Sequence, residues 1–282
     1  MRPNAALAAL HCAVLLFGFA GLFGKWLDLP PAVIVLGRTL VAATALGLLR
    51  ALQGKRGAPF DLRLAGMGAL LAAHWVSFYA AIQVASVAIG LLGFASFPLF
   101  VLLLERALLG RRWSAREGAT AGFVTVGLAL LVPELSFANR MVQGLLWGLL
   151  SGFTFALLAV ANRRWSATRA PLHLAFWQNL WAAIALVPFV AALGSPPAIG
   201  AREIGLLLLL GVVGTALAHT LFITALATVS AHTASMVCAL EPVYGILLAL
   251  LLLGEVPAPR TLVGGALIVG AAVLATRRAR DG

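Results

Sequence analysis

The sequence predicts an all-α polytopic membrane protein, with ten transmembrane helices arranged as two inverted five-helix repeats. Three observations carry that reading. Composition comes first: 62% of the residues are apolar, only 10% are charged and the mean hydropathy is +1.03, whereas soluble domains are about 25% charged. The second is the series of apolar stretches. A spanning helix needs about 20 mostly apolar residues, and candidate spans lie at approximately 5–25, 31–51, 63–83, 87–109, 116–133, 141–161, 171–193, 203–226, 231–253 and 259–276. The third is a recurrence. Ser86 to Arg116 returns 144 residues later as Ser230 to Arg260, with Pro98 answered by Pro242 and Leu108-Leu109-Gly110 by Leu252-Leu253-Gly254. An odd number of spans separates the copies, so the second half, residues 136–282, enters the bilayer opposite to the first, residues 1–135. Inverted repeats of this kind build alternating-access transporters, with substrate held near the bilayer midplane.

The net charge of +11 follows from topology, because Lys and Arg near span ends stay in the cytoplasm. With the N-terminus inside, the inner side receives Arg2, Arg50, Lys55, Arg56, Arg63, Arg106, Arg111, Arg112, Arg116, Arg163, Arg164, Arg169, Arg277, Arg278 and Arg280. The outside receives only Lys25, Arg140, Arg202 and Arg260, and Arg38 alone lies within a span. Both termini are therefore expected in the cytoplasm. The arginines are spread over the inner loops without a groove or recognition motif, which argues against nucleic-acid binding. The connections are too short for a soluble catalytic domain. Residues 5–24 exceed the apolar core of a secretion signal and more spans follow, so they read as the first helix. Cys12 and Cys238 fall in separate apolar spans and read as packing residues, with no disulfide, metal site or cofactor expected.

Small residues let membrane helices approach closely. Gly18, Gly21 and Gly24 step down the first span, Gly118/Gly122 and Gly148/Gly152 form small-xxx-small pairs, and Gly264, Gly265 and Gly270 thin the last span. Tight packing is the expectation for all of them. Spans five and ten also offer a dimer contact, so a monomer or weak homodimer is expected. Pro98 and Pro242 fall near the middle of spans four and nine, where each removes a helical hydrogen bond and favours a kink. They read as hinges or, equally, as static bends.

Ionisable groups at membrane depth are costly and mark function. The candidates are Arg38 in span two, Glu241 in span nine, His74 in span three and His219, one register position from its repeat partner, in span eight. Arg38 matches a substrate carboxylate in shape, or else pairs with Glu241 or backbone carbonyls to hold helices together. Glu241 is a candidate carrier of a coupling proton. His11, His173 and His232 lie nearer span ends, and Glu105 lies close to the arginine-rich inner loop. His74, Trp75, Ser77, Phe78 and Tyr79 form one polar-aromatic stretch; Trp177 and Gln178 in span seven, Tyr244 in span nine, and Trp147, Phe153 and Phe155 in span six extend it. Rings with a few fixed polar groups suit a small amphipathic organic substrate better than an inorganic ion. Trp26, Trp113 and Trp165 sit beside charged loops and read as interfacial anchors.

These features together resemble the drug/metabolite transporter superfamily, in particular its ten-helix EamA-type members. The resemblance rests on a Gly-rich first span, on Leu36-Gly37-Arg38, and on proline-bearing fourth and ninth spans that close in Leu-Leu-Gly or Leu-Gly-Glu. The second copy, Glu241-Pro242-Val243-Tyr244 with Leu253-Gly254-Glu255, matches better, since Phe97 and Arg111 stand at the corresponding places of the first. The resemblance implies a bacterial inner-membrane carrier, often an exporter of amino acids, amines or other small metabolites. Its histidine and aromatic content is similar to the aromatic amino acid exporters. The expected activity is thus passage of neutral, aromatic or large aliphatic amino acids through a cavity lined by spans one to four and six to nine. Other amphipathic metabolites or drugs are the alternative. A membrane-embedded lipid-modifying enzyme needs paired carboxylates, metal ligands or an activated nucleophile, and the deep spans contain no paired Asp motif or His cluster.

Overall fold

Helices make up every regular element among the described residues, as lipid requires, because a helix satisfies its own backbone polar groups where no water can. The computed structural model describes residues 3–54, 60–109, 115–131, 136–166, 169–194, 198–226, 228 and 237–277. In order, the helices are α1 (Pro3–Gly21), α2 (Phe23–Trp26), α3 (Pro31–Leu52), α4 (Ala65–Val84), α5 (Val87–Phe94), α6 (Phe97–Leu109), α7 (Ala115–Leu130), α8 (Arg140–Ser166), α9 (Pro171–Ala191), α10 (Ala201–Gly211), α11 (Ala218–Leu226), α12 (Glu241–Leu253) and α13 (Pro259–Arg277). Six stretches are long and apolar enough to cross a bilayer, at Asn4–Trp26, Pro31–Leu52, Leu62–Val84, Arg140–Asn162, Pro171–Ala191 and Ala201–Ala225. Four shorter apolar helices cover Val87–Val101, Gly118–Leu130, Glu241–Leu253 and Pro259–Ala271.

Local chemistry sets the helix ends. Pro31 and Pro171 occupy the first turns of α3 and α9, where a missing N–H costs nothing. Ser86 accepts the Ile89 N–H at 3.1 Å to cap α5, and Asn139 accepts the Met141 N–H at 2.9 Å to cap α8. α12 stops at Gly254, whose φ of +67° is the left-handed conformation that glycine adopts without strain.

Pro98 and Pro242 do more than kink their helices. Each is the second residue of a new helix, α6 or α12, reached through a turn at 95–96 or 239–240. The proline ring has no N–H to donate to the preceding turn, and within the turn before α6 the Ser96 hydroxyl donates to the Gly93 carbonyl at 2.7 Å. A different interruption splits span eight. Residues Val212–Leu217 form a π-helical turn between α10 and α11, a feature with a single inserted residue and no proline to announce it.

Glycine contacts decide how closely the helices cross. A Cβ on Gly148 of α8 would stand 2.9 Å from the Gly93 Cα of α5, and one on Gly18 of α1 would stand 2.9 Å from the Gly245 N of α12. A Cβ on Gly127 of α7 would meet the Gly264 carbonyl of α13 at 2.8 Å. Spans five and ten thus pack on each other within the chain. Among the described residues nothing lies within 4 Å of a Cβ added to Gly118, Gly122 or Gly270, where tight packing is expected, and Gly118 and Gly122 are exposed.

The burial pattern is that of a lipid-exposed bundle. Large apolar side chains such as Leu251 and Phe189 are 68% and 67% exposed, while Arg38, His74, Gln178, Asn179, Thr215, His219 and Glu241 are buried. Polar contacts then tie each end. At one end Lys25 donates to the Ala85 carbonyl (3.2 Å), Arg140 donates to the Val84 carbonyl (2.8 Å), and the Glu255 carboxylate accepts the Val87 and Ala88 N–H groups at the start of α5 (3.2 and 3.3 Å). At the other end of α4, Arg169 donates Nε to the Asp61 carboxylate (2.9 Å) and Trp181 donates to the Asp61 carbonyl (3.1 Å).

Candidate substrate site

The centre of the bundle is organised around Arg38, which is 2% exposed. Its Nε donates to the Thr215 hydroxyl at 2.9 Å, Nη1 to the Tyr79 hydroxyl at 2.9 Å and Nη2 to the Gly214 carbonyl at 3.2 Å. The guanidinium also lies 3.9 Å from the centre of the Trp75 ring, a cation–π contact. The π turn makes this geometry available. Thr215 donates its own hydroxyl to the Leu210 carbonyl five residues back (2.8 Å), and the widened turn offers the Gly214 carbonyl to Arg38. α10 can lie against α3 here because Gly211 has no side chain: an added Cβ would be 2.4 Å from the Val41 Cβ and 3.1 Å from the Arg38 carbonyl. Tyr79 completes the lock by donating to the Ala20 carbonyl at 3.0 Å, which fastens α1 to the same cation.

Arg38 and Glu241 form no ion pair. Of the sequence expectations for Arg38, the backbone-carbonyl tie is the one present, and the carboxylate partner is replaced by neutral oxygens. Glu241 sits at the start of α12 and is buried. No hydrogen bond reaches its carboxylate among the described residues.

Trp75 joins the histidines. Its ring centre lies 6.3 Å from that of His74 and 6.5 Å from that of His219. Ser151 holds His74 through Nδ1, with its hydroxyl at 2.8 Å and its carbonyl at 3.1 Å, so Nε2 is the ring nitrogen left over. Around that imidazole stand Phe155 at 5.0 Å, Phe94 at 5.2 Å and Phe78 at 6.2 Å, and Phe97 stacks on Phe94 at 5.4 Å. The result is a cationic and imidazole-bearing floor with an aromatic wall beside it.

The structure thus gathers Arg38, His74, Trp75, Phe78, Tyr79, His219 and Glu241, but not the whole predicted set. Ser77 spends its hydroxyl on its own helix, donating to the Ala73 and His74 carbonyls at 2.6 and 3.0 Å. Trp177 belongs to a different aromatic group with Phe60, Phe176 and Trp181. Gln178 donates to Asn162 at 2.6 Å, and Tyr244 pairs with His11 at 3.3 Å. Of the span-six rings only Phe155 turns inward; Trp147 and Phe153 are 41% and 38% exposed. Glu105, Arg111, Trp113 and His232 lie outside the residues whose side chains are described. Sequence reasoning missed Thr215, Gly214, Ser151 and Phe94. Their one signal was helical spacing, since Thr215 lies four residues before His219 and Ser151 four before Phe155.

Among the described residues, α9 and α11 carry a set of buried polar atoms without partners. Trp177 Nε1, Gln178 Oε1 and Asn179 Oδ1 on α9, with His219 Nδ1 and Thr220 Oγ1 on α11, are buried and make no hydrogen bond. α9 and α11 pack against each other.

A lipid-embedded helical bundle with its polar and ionisable groups turned to the centre is the architecture of a membrane transporter. The chain belongs to the EamA-like transporter family, whose model matches residues 4–132 and 142–277. It is 30% identical over 257 residues to the pseudopaline exporter CntI of Pseudomonas aeruginosa (strain UCBPP-PA14), covering 88% of this chain and 87% of that one. An uncharacterized transporter of Archaeoglobus fulgidus is 27% identical over 219 residues, 77% of each chain. A crystal structure at 23% identity superposes with a TM-score of 0.67 over 98% of this chain and 99% of the other, which shows a shared fold.

Proposed function

We propose that this transporter exports, or lets pass, neutral amino acids with large side chains, aromatic ones above all. Its two halves, residues 1–135 and 136–282, are read as inverted repeats that rock about the central site in the bacterial inner membrane, with both termini in the cytoplasm. The observation that carries the reading is the Arg38 guanidinium, buried against Trp75 with only neutral oxygens as partners and an aromatic wall of Phe78, Phe94 and Phe155 beside His74. A fixed cation next to rings offers a carboxylate one anchor and an apolar side chain another. Pro98 and Pro242 start α6 and α12 after a break, and such discontinuities let one end of a bundle open while the other stays closed.

A second reading is passage of another amphipathic metabolite or a drug through the same site, supported by the relative named a pseudopaline exporter. Uptake of labelled phenylalanine, tryptophan and leucine into liposomes containing the purified protein separates the two. Saturable uptake of the three supports the amino acid reading. No uptake of any of them refutes it and turns the search to other amphipathic metabolites. In the same assay Arg38→Gln, if correctly folded, is expected to weaken amino acid transport at least about tenfold, the worth of a charge-assisted hydrogen bond.

A further inference from the structure

We propose that Glu241 binds the substrate's ammonium group, so that the site recognises a zwitterion across Arg38 on one side and Glu241 on the other. This rests on the amino acid reading above. Two halves of an ion pair are buried at the centre of the bundle without meeting. Arg38 on α3 is committed to Thr215, Tyr79 and the Gly214 carbonyl, which hold its position and supply no charge. Glu241 at the start of α12 meets the same stretch of α1, its carbonyl 3.2 Å from a Cβ added to Gly18, two residues before the Ala20 carbonyl that Arg38 reaches through Tyr79; it forms no ion pair with Arg38 and takes no hydrogen bond from any described residue.

The backbone holds Glu241 as firmly as the oxygens hold Arg38. α12 crosses α1 in near backbone contact: an added Cβ on Gly18 would be 2.9 Å from the Gly245 N and 3.2 Å from the Glu241 carbonyl. The crossing fixes where α12 begins, and so where the Glu241 side chain is rooted. A carboxylate on a residue only 8% exposed is costly in a membrane unless a counter-charge meets it. An incoming ammonium supplies both the donors and the counter-charge, while the α-carboxylate of the same molecule faces Arg38. An amino acid carries these two groups on one shared carbon, and its side chain is left free for the rings around His74. Glu241 is the only buried carboxylate among the described residues.

The test measures binding of L-phenylalanine, phenethylamine and 3-phenylpropionate to the purified full chain in detergent, for the wild type, Glu241→Gln and Glu241→Asp. The expected result is that Glu241→Gln weakens phenylalanine and phenethylamine by about 10- to 100-fold while 3-phenylpropionate is unchanged, with partial recovery in Glu241→Asp. Unchanged phenylalanine and phenethylamine binding in Glu241→Gln overturns the assignment and leaves the amino acid reading standing. Equal loss of all three ligands, with Glu241→Asp no better, makes Glu241 a packing residue and also overturns it. Glu241-dependent binding of phenethylamine in a protein that transports no amino acid supports the ammonium site and refutes the amino acid reading. Failure of the wild type to bind any of the three overturns both.

Discussion

Tyr79→Phe removes one oxygen atom from the centre of the bundle and keeps the ring. That oxygen accepts from Arg38 Nη1 at 2.9 Å and donates to the Ala20 carbonyl at 3.0 Å, in a side chain with no solvent exposure. A hydrogen bond to a charged group contributes about 1.5–3 kcal/mol and a neutral one about 1 kcal/mol, so the loss is expected at about 2–4 kcal/mol. Hydrogen bonds between membrane helices average nearer 0.6 kcal/mol, because unfolded helices in lipid find other partners. Burial decides between these figures. Arg38 is 2% exposed and its other partners are already engaged, so in this conformation the freed N–H has no replacement among its neighbours. Unfolding by rising SDS fraction in mixed micelles measures the loss directly. Thr215→Val takes another oxygen from the same guanidinium, so the double variant is expected to deviate from additivity by at least about 0.5 kcal/mol. A loss below about 0.6 kcal/mol for Tyr79→Phe, with additive behaviour, would refute the view that Arg38 locks α1, α3, α4 and the π turn together.

Three other outcomes follow from the same geometry. Gly148→Leu forces atoms into the Gly93 backbone, 2.9 Å from a first added carbon, and is expected to cost at least about 1–3 kcal/mol in the same SDS titration; Gly118→Leu, facing open space, should stay within about 0.5 kcal/mol. Glu255→Gln keeps one acceptor for the two N–H groups of α5 and loses the charge at that helix start, an expected loss of about 1 kcal/mol that should shrink in high salt. Pro98→Ala restores the missing donor and permits α5 and α6 to join, so transport in liposomes should slow while substrate affinity holds; an unchanged rate would make the break a static feature.

Much of the architecture was legible in the sequence because lipid imposes simple rules. Apolar runs of spanning length, helix-starting prolines and paired glycines such as Gly148 and Gly264 depend on local spacing, and local spacing is what a sequence records. The depth of Arg38, His74, His219 and Glu241 was readable for the same reason: each interrupts an apolar run. Partner choice was not. Nothing in the spacing of Arg38 told Glu241 from Thr215 as its neighbour, and Trp147 and Trp177 looked like site residues until helix rotation turned one to the lipid and the other to a separate aromatic group.

By itself the sequence determined an all-helical, membrane-embedded chain with buried charge, since those properties follow from composition and period alone. The tertiary structure decided where that charge is satisfied. A π turn with no residue signature of its own aims the Gly214 carbonyl and Thr215 at Arg38, while the Gly18–Gly245 crossing holds the start of α12, and with it Glu241, against α1. Both results depend on how helices distant in the chain rotate and approach, and packing between surfaces sets that rotation, which no single helix encodes.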